Sequence, residues 1–91
     1  MPYDYKTSKN LDKILEKLYK KDKATYEQIM KKMNEIINSS DVEHYKNLRY
    51  DLSDYKRVHI GHFILVFKYN KSENIIEFSD FDHHDIMYKK R

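Results

Sequence analysis

The sequence predicts an α+β domain with two helices laid on one face of a small antiparallel sheet, and three observations predict it. Residues 8–37 carry two consecutive apolar stripes at helical spacing. Residues 55–81 carry three short β-type segments separated by turn signals. One glycine and one proline in 91 residues leave little chain for irregular loops. The expected order is strand, helix, helix, three strands, then a short C-terminal helix or tail. Residues 1–91 suffice for a single domain with a modest core.

Residues 2–6 alternate Tyr3 and Tyr5 against Asp4 and Lys6, which suits a short first strand. Ser8 is a helix N-cap candidate, followed by Leu11, Ile14, Leu15, Leu18 and Tyr19 on one face. Asp22 can cap a second helix, whose stripe is Tyr26, Ile29, Met30, Met33, Ile36 and Ile37. So short a connection implies an antiparallel helical hairpin, closed by Asn38-Ser39-Ser40-Asp41. Residues 55–60 alternate, with Val58 and Ile60 on one face and Arg57 and His59 on the other. Gly61-His62 is a turn, and residues 63–69 form the near-continuous apolar run of a central strand. Residues 70–74 are a polar connection and residues 75–81 the last strand, which leaves 82–88 for the terminal helix or tail. With both helices on one side of the sheet, the face bearing Arg57 and His59 is expected to be exposed.

Composition excludes several classes. No cysteine means no disulfide and no thiolate chemistry, which fits a reducing compartment. No apolar run is long enough to cross a bilayer, and the N-terminus lacks the apolar stretch of a signal peptide, so a cytoplasmic protein is expected. Eighteen Lys and Arg against fifteen Asp and Glu give a net charge of +3, a mixed-charge surface with a slight bias toward polyanions.

The candidate chemistry lies in the histidines. Of His44, His59, His62, His83 and His84, four fall at adjacent predicted strand ends. Histidine both accepts and donates protons near neutrality. Cleavage of RNA by its own 2′-hydroxyl needs a base, an acid and fixed cations, with no metal or cofactor. His59 and His84 are the candidates for base and acid, and spacing does not say which is which. Arg57, Lys46 and Arg49 can hold the phosphate, and Tyr88 can stack on a base or orient the hydroxyl. His62 and His83 are further RNA-contacting candidates. Two other readings compete. His59-x-x-His62 with His83-His84-Asp85 offers metal-type ligands at loose spacing, and the histidines can also be solvated side chains around a hairpin.

The stretch from Tyr55 to Phe67, a basic alternating strand, a Gly turn and an aromatic-aliphatic strand, resembles the central hairpin of RelE/ParE-superfamily toxins of type II toxin–antitoxin systems. Phe81-Asp82-His83-His84-Asp85-Ile86-Met87-Tyr88 resembles the family's ending, and Asn47-Leu48-Arg49 the segment leading into its hairpin. The resemblance implies a RelE-like fold and a ribosome-dependent endoribonuclease, an mRNA interferase acting in the ribosomal A site. It implies as partners the ribosome and mRNA, and a small antitoxin of the RelB or DinJ kind in a toxin–antitoxin hetero-oligomer, with no membrane. An antitoxin helix is expected to cover the cationic face or displace the tail bearing His84 and Tyr88. The details are most similar to the histidine-using YafQ-like branch, which implies catalytic roles for His59 and His84 and places the terminal aromatic at Tyr88. His62 stands where that branch carries an acidic residue. Ile64 stands where the RelE branch has an arginine, which favours a histidine-centred mechanism. A non-catalytic RNA- or protein-binding module on the same scaffold is the alternative.

Overall fold

The chain's structure, a computed structural model, describes residues 3–47 and 54–89, with side chains through Met87. Its elements are β1 (Asp4–Thr7), α1 (Lys9–Lys21), α2 (Lys23–Ile37), a 3-10 turn (Val42–His44), β2 (Lys56–Ile60), β3 (Phe63–Asn70), β4 (Ile75–His83) and α3 (His84–Lys89). The α+β architecture expected from the sequence is present.

The helix limits follow from their caps. Ser8 is extended, and its Oγ accepts the Leu11 N–H at 3.0 Å. Asp22 alone separates the two helices. Its N–H closes α1 onto the Leu18 carbonyl at 2.8 Å. Its carboxylate opens α2 by accepting from the Thr25 N–H at 3.3 Å and the Thr25 hydroxyl at 2.7 Å. With one residue serving both ends, the helices fold back on each other, and their apolar stripes fall on the same side.

The sheet has the order β1-β4-β3-β2. Strands β2, β3 and β4 are antiparallel neighbours, as expected of consecutive hairpins. Strand β1 joins β4 in parallel, so the sheet is mixed. The parallel pairing is possible because both helices and two strands intervene before the chain returns. On the helix-covered face, Leu11, Ile29 and Ile36 meet Leu65, Phe67, Ile76 and Phe78, all without accessible surface. That cluster is the main core.

The opposite face is not bare. The C-terminal segment is a helix, and its Met87 packs on Ile64 and Val66 beside Tyr55, forming a second small apolar cluster. The sequence suggests full exposure of this face because residues 82–88 show too little periodicity to reveal what they cover. Among the described residues, no helix is long and apolar enough to cross a membrane.

One irregularity sets the geometry of the C-terminal end. Val66 pairs with Asp80, but Phe67 pairs with Phe78, so Ser79 is an extra residue in β4. The bulge inverts the strand's alternation. Ile76 and Phe78 face the helices before it, whereas Phe81 does so after it. Residues 80, 82 and 84 therefore fall on the other side, the side of Arg57 and His59. The Ser79 carbonyl accepts the Ser8 hydroxyl at 2.6 Å, which ties the bulge to the cap of α1.

Candidate active site

The site grows from the β2–β3 hairpin. Gly61 has φ +62°, and Ile60 and Phe63 are paired across it. A positive φ at the first central residue of a two-residue loop suits a type II′ turn, where glycine is favoured. The tight turn fixes the register, so His59 stands opposite Ile64, and Ile64 opposite Asp82. Beyond the paired strands, the His84 N–H donates to the His62 carbonyl at 2.9 Å. The start of α3 is thereby held against the turn.

This arrangement makes two imidazole pairs. His59 and His84 stack at 5.5 Å between ring centroids with planes 20° apart. His62 and His83 face each other at 6.3 Å and 15°. A shallow pocket of about 290 Å³ lies among His59, Gly61, His62, His83, His84 and Asp85. Four of the residues chosen from the sequence thus share one open pocket.

Each imidazole sits in a different electrostatic setting. An Arg57 Nη donates to His59 Nε2 at 3.1 Å. Partial burial first, then the Arg57 guanidinium and the His84 ring, lower the pKa of His59 below the ordinary histidine value. His84 Nδ1 lies 3.4 Å from a carboxylate oxygen of Asp85, and both side chains are largely exposed. His83 Nδ1 accepts the Asp85 N–H at 3.3 Å, the position of an N-cap for α3, and its ring meets Phe63 edge-on at 5.6 Å. His83 is therefore committed to holding the helix start as well as facing the pocket.

The cations are placed by the register of β2. Arg57 pairs with Val66 on the His59 side of the sheet, and its N–H donates to the Lys46 carbonyl at 2.9 Å. Asn47 bridges Lys56, so Lys46 stands beside Arg57 at the sheet edge with an exposed side chain. Arg49 lies outside the described residues, as does the side chain of Tyr88, whose backbone belongs to α3. His44 is remote in role, with its ring against Tyr45 and its Nδ1 on the Asp41 carbonyl. Among the described residues, no three His or carboxylate side chains are disposed to hold a metal ion.

Sequence reading missed two contributors. Lys56 looks like a solvated partner of Arg57, yet its ammonium donates to the Glu43 carbonyl at 3.3 Å, the Tyr45 carbonyl at 3.1 Å and Asn47 Oδ1 at 3.0 Å. It fastens the segment that carries Lys46 to the sheet. Lys68, on the Arg57 side by alternation from Val66, lies over the Tyr55 ring at 5.6 Å and extends the cationic face. Its position in an otherwise apolar strand was the available signal.

Comparison with known proteins adds three findings. The family model described as "ParE toxin of type II toxin-antitoxin system, parDE" matches residues 5–88. A protein of Methanocaldococcus jannaschii named RelE4 is 49% identical over 90 residues, covering 98% of this chain and 94% of its own. Among solved structures, the fold is similar to that of the archaeal RelE–RelB complex of Pyrococcus horikoshii (TM-score 0.68, 19% identity, 91% of this chain and 96% of that one). It is also similar to the E. coli toxin RelE mutant in complex with an antitoxin RelBc peptide (TM-score 0.67, 19% identity, 99% and 94%).

Proposed function

The chain belongs to the ParE/RelE toxin family of type II toxin–antitoxin systems, and from that premise we propose that it is an mRNA interferase that cleaves messages in the ribosomal A site. The observation that carries this reading is the stacked His59–His84 pair beside Arg57 on one open face. The residues suit a metal-free transesterification. One imidazole takes the proton of the ribose 2′-hydroxyl, and that oxygen attacks the adjacent phosphorus. Arg57, together with Lys46 and Arg49, neutralises the charge that builds on the phosphate oxygens. The second imidazole gives a proton to the departing 5′-oxygen, so the products are a 2′,3′-cyclic phosphate and a 5′-hydroxyl. His62, His83 and Tyr88 are proposed to contact the flanking nucleotides.

Use of two histidines, with Ile64 buried beneath Met87, favours the YafQ-like branch over an arginine-centred one. A ribosomal target entails a cytoplasmic location and attraction of the cationic face to rRNA phosphates. The proposed antidote is a RelB-like antitoxin in a hetero-oligomer, as the Pyrococcus horikoshii relative is found with RelB. Its helix is expected to cover the cationic face or dislodge α3. Cell-free translation tests the activity. Added toxin is expected to create new ends within translated messages and none in the same RNA without ribosomes. Arrested translation with intact messages would instead support a non-catalytic binding module.

A further inference from the structure

The arginine expected to hold the phosphate and the histidine expected to move the proton are in contact with each other. A guanidinium has only donors, so the Arg57–His59 contact at 3.1 Å requires a lone pair on His59 Nε2. As a hydrogen bond the contact goes with a neutral ring protonated on Nδ1, and it occupies the lone pair a general base would use. Arg57 Nε is buried and has no hydrogen-bond partner among the described residues. A phosphate is a better match, because its oxygens are charged acceptors spaced for two parallel N–H donors.

We propose that Arg57 is a gate on His59: it masks the Nε2 lone pair until an RNA phosphate draws the guanidinium away and leaves that nitrogen free to take the 2′-hydroxyl proton. Arg57 is then a positioning residue for the base before it is a phosphate ligand. The inference rests on the site reading above and adds an order of events. It also assigns the base role to His59 and leaves the acid role to His84. The surroundings suit such a gate. His59 faces Arg57 along β2, His84 from α3 with Asp85 beside it, Asp82 across Ile64 on β4, and Lys46 at the edge next to Arg57. Arg57 is thus the cation on the ring itself, with carboxylates as well as Lys46 around the site. The sign follows directly. A guanidinium on the ring disfavours the imidazolium, whereas a phosphate in its place favours it. Proton affinity at His59 therefore rises when substrate is present.

Nitrogen-15 NMR of the imidazole rings in the full chain tests this without relying on cleavage. In the unliganded protein His59 is expected as the Nδ1–H tautomer, titrating below the ordinary histidine pH. Arg57→Met should move that titration upward and loosen the tautomer preference, and Arg57→Lys should restore only part of the effect. Saturation with inorganic phosphate, or with an uncleavable all-2′-deoxy oligonucleotide, should move the wild-type titration upward and leave Arg57→Met unchanged. The phosphodiester should act at the lower concentration. A greater potency of free phosphate would overturn the link to RNA. An Nε2–H tautomer in the unliganded protein overturns the gate, as does absence of any phosphate effect on His59. If the gate responds but no message is cleaved, the catalytic reading fails and the gate stands.

Discussion

His84→Ala and His59→Ala each lower message cleavage by roughly 10²–10⁴-fold, the range for loss of a positioned acid or base, and each relieves growth inhibition while the fold persists. Survival of the fold follows from where the rings lie. Both are exposed at the sheet end, and neither belongs to an apolar cluster. Removing either ring opens no cavity, so the stability cost should be within about 1 kcal/mol, as for other surface changes. Growth assays on induced cells and thermal unfolding of the purified variants check both halves. Full toxicity in both variants would remove these residues from the mechanism.

Phe67→Ala should have the largest effect on stability. Phe67 is fully buried at the centre of β3, with its ring 5.6 Å from Tyr45 and 5.8 Å from Phe78. Truncating a buried phenylalanine costs about 3–5 kcal/mol through lost burial and the cavity left behind. A small domain has about 5–15 kcal/mol in total, so the variant should unfold at much lower urea or temperature. The effect reaches the site because Phe67 pairs with Lys56, which fastens the segment carrying Lys46. A midpoint within a degree or two of the wild type would show that this cluster does not carry the fold.

The helices were legible because their signals are local. Ser8 and Asp22 cap where their side chains predict, and the stripes between them fall on one face. The alternation at Val58, His59 and Ile60 also gave the faces of β2 correctly. What was not legible depends on distant pairing. Whether His84 lies beside His59 or on the far side of the sheet is decided by Ser79, the extra residue opposite β3. The two-then-three spacing of Ile76, Phe78 and Phe81 was its trace in the sequence, and it is readable only once the pairing is known. The cover over Ile64 and Val66 was hidden in the same way, because among the described side chains of α3 only Met87 is buried against them. The Arg57–His59 contact joins residues two apart on one strand face, which strand spacing allows but does not require.

The chemistry of the cut ends tests the central claim most directly. Messages cleaved on the ribosome by the wild-type protein should end in a 2′,3′-cyclic phosphate, or the monophosphate it opens to, with a 5′-hydroxyl on the other fragment, and His59→Ala/His84→Ala should yield none. Fragments bearing a 3′-hydroxyl and a 5′-phosphate would mean that water, not the ribose hydroxyl, attacked the phosphorus, and would contradict the account.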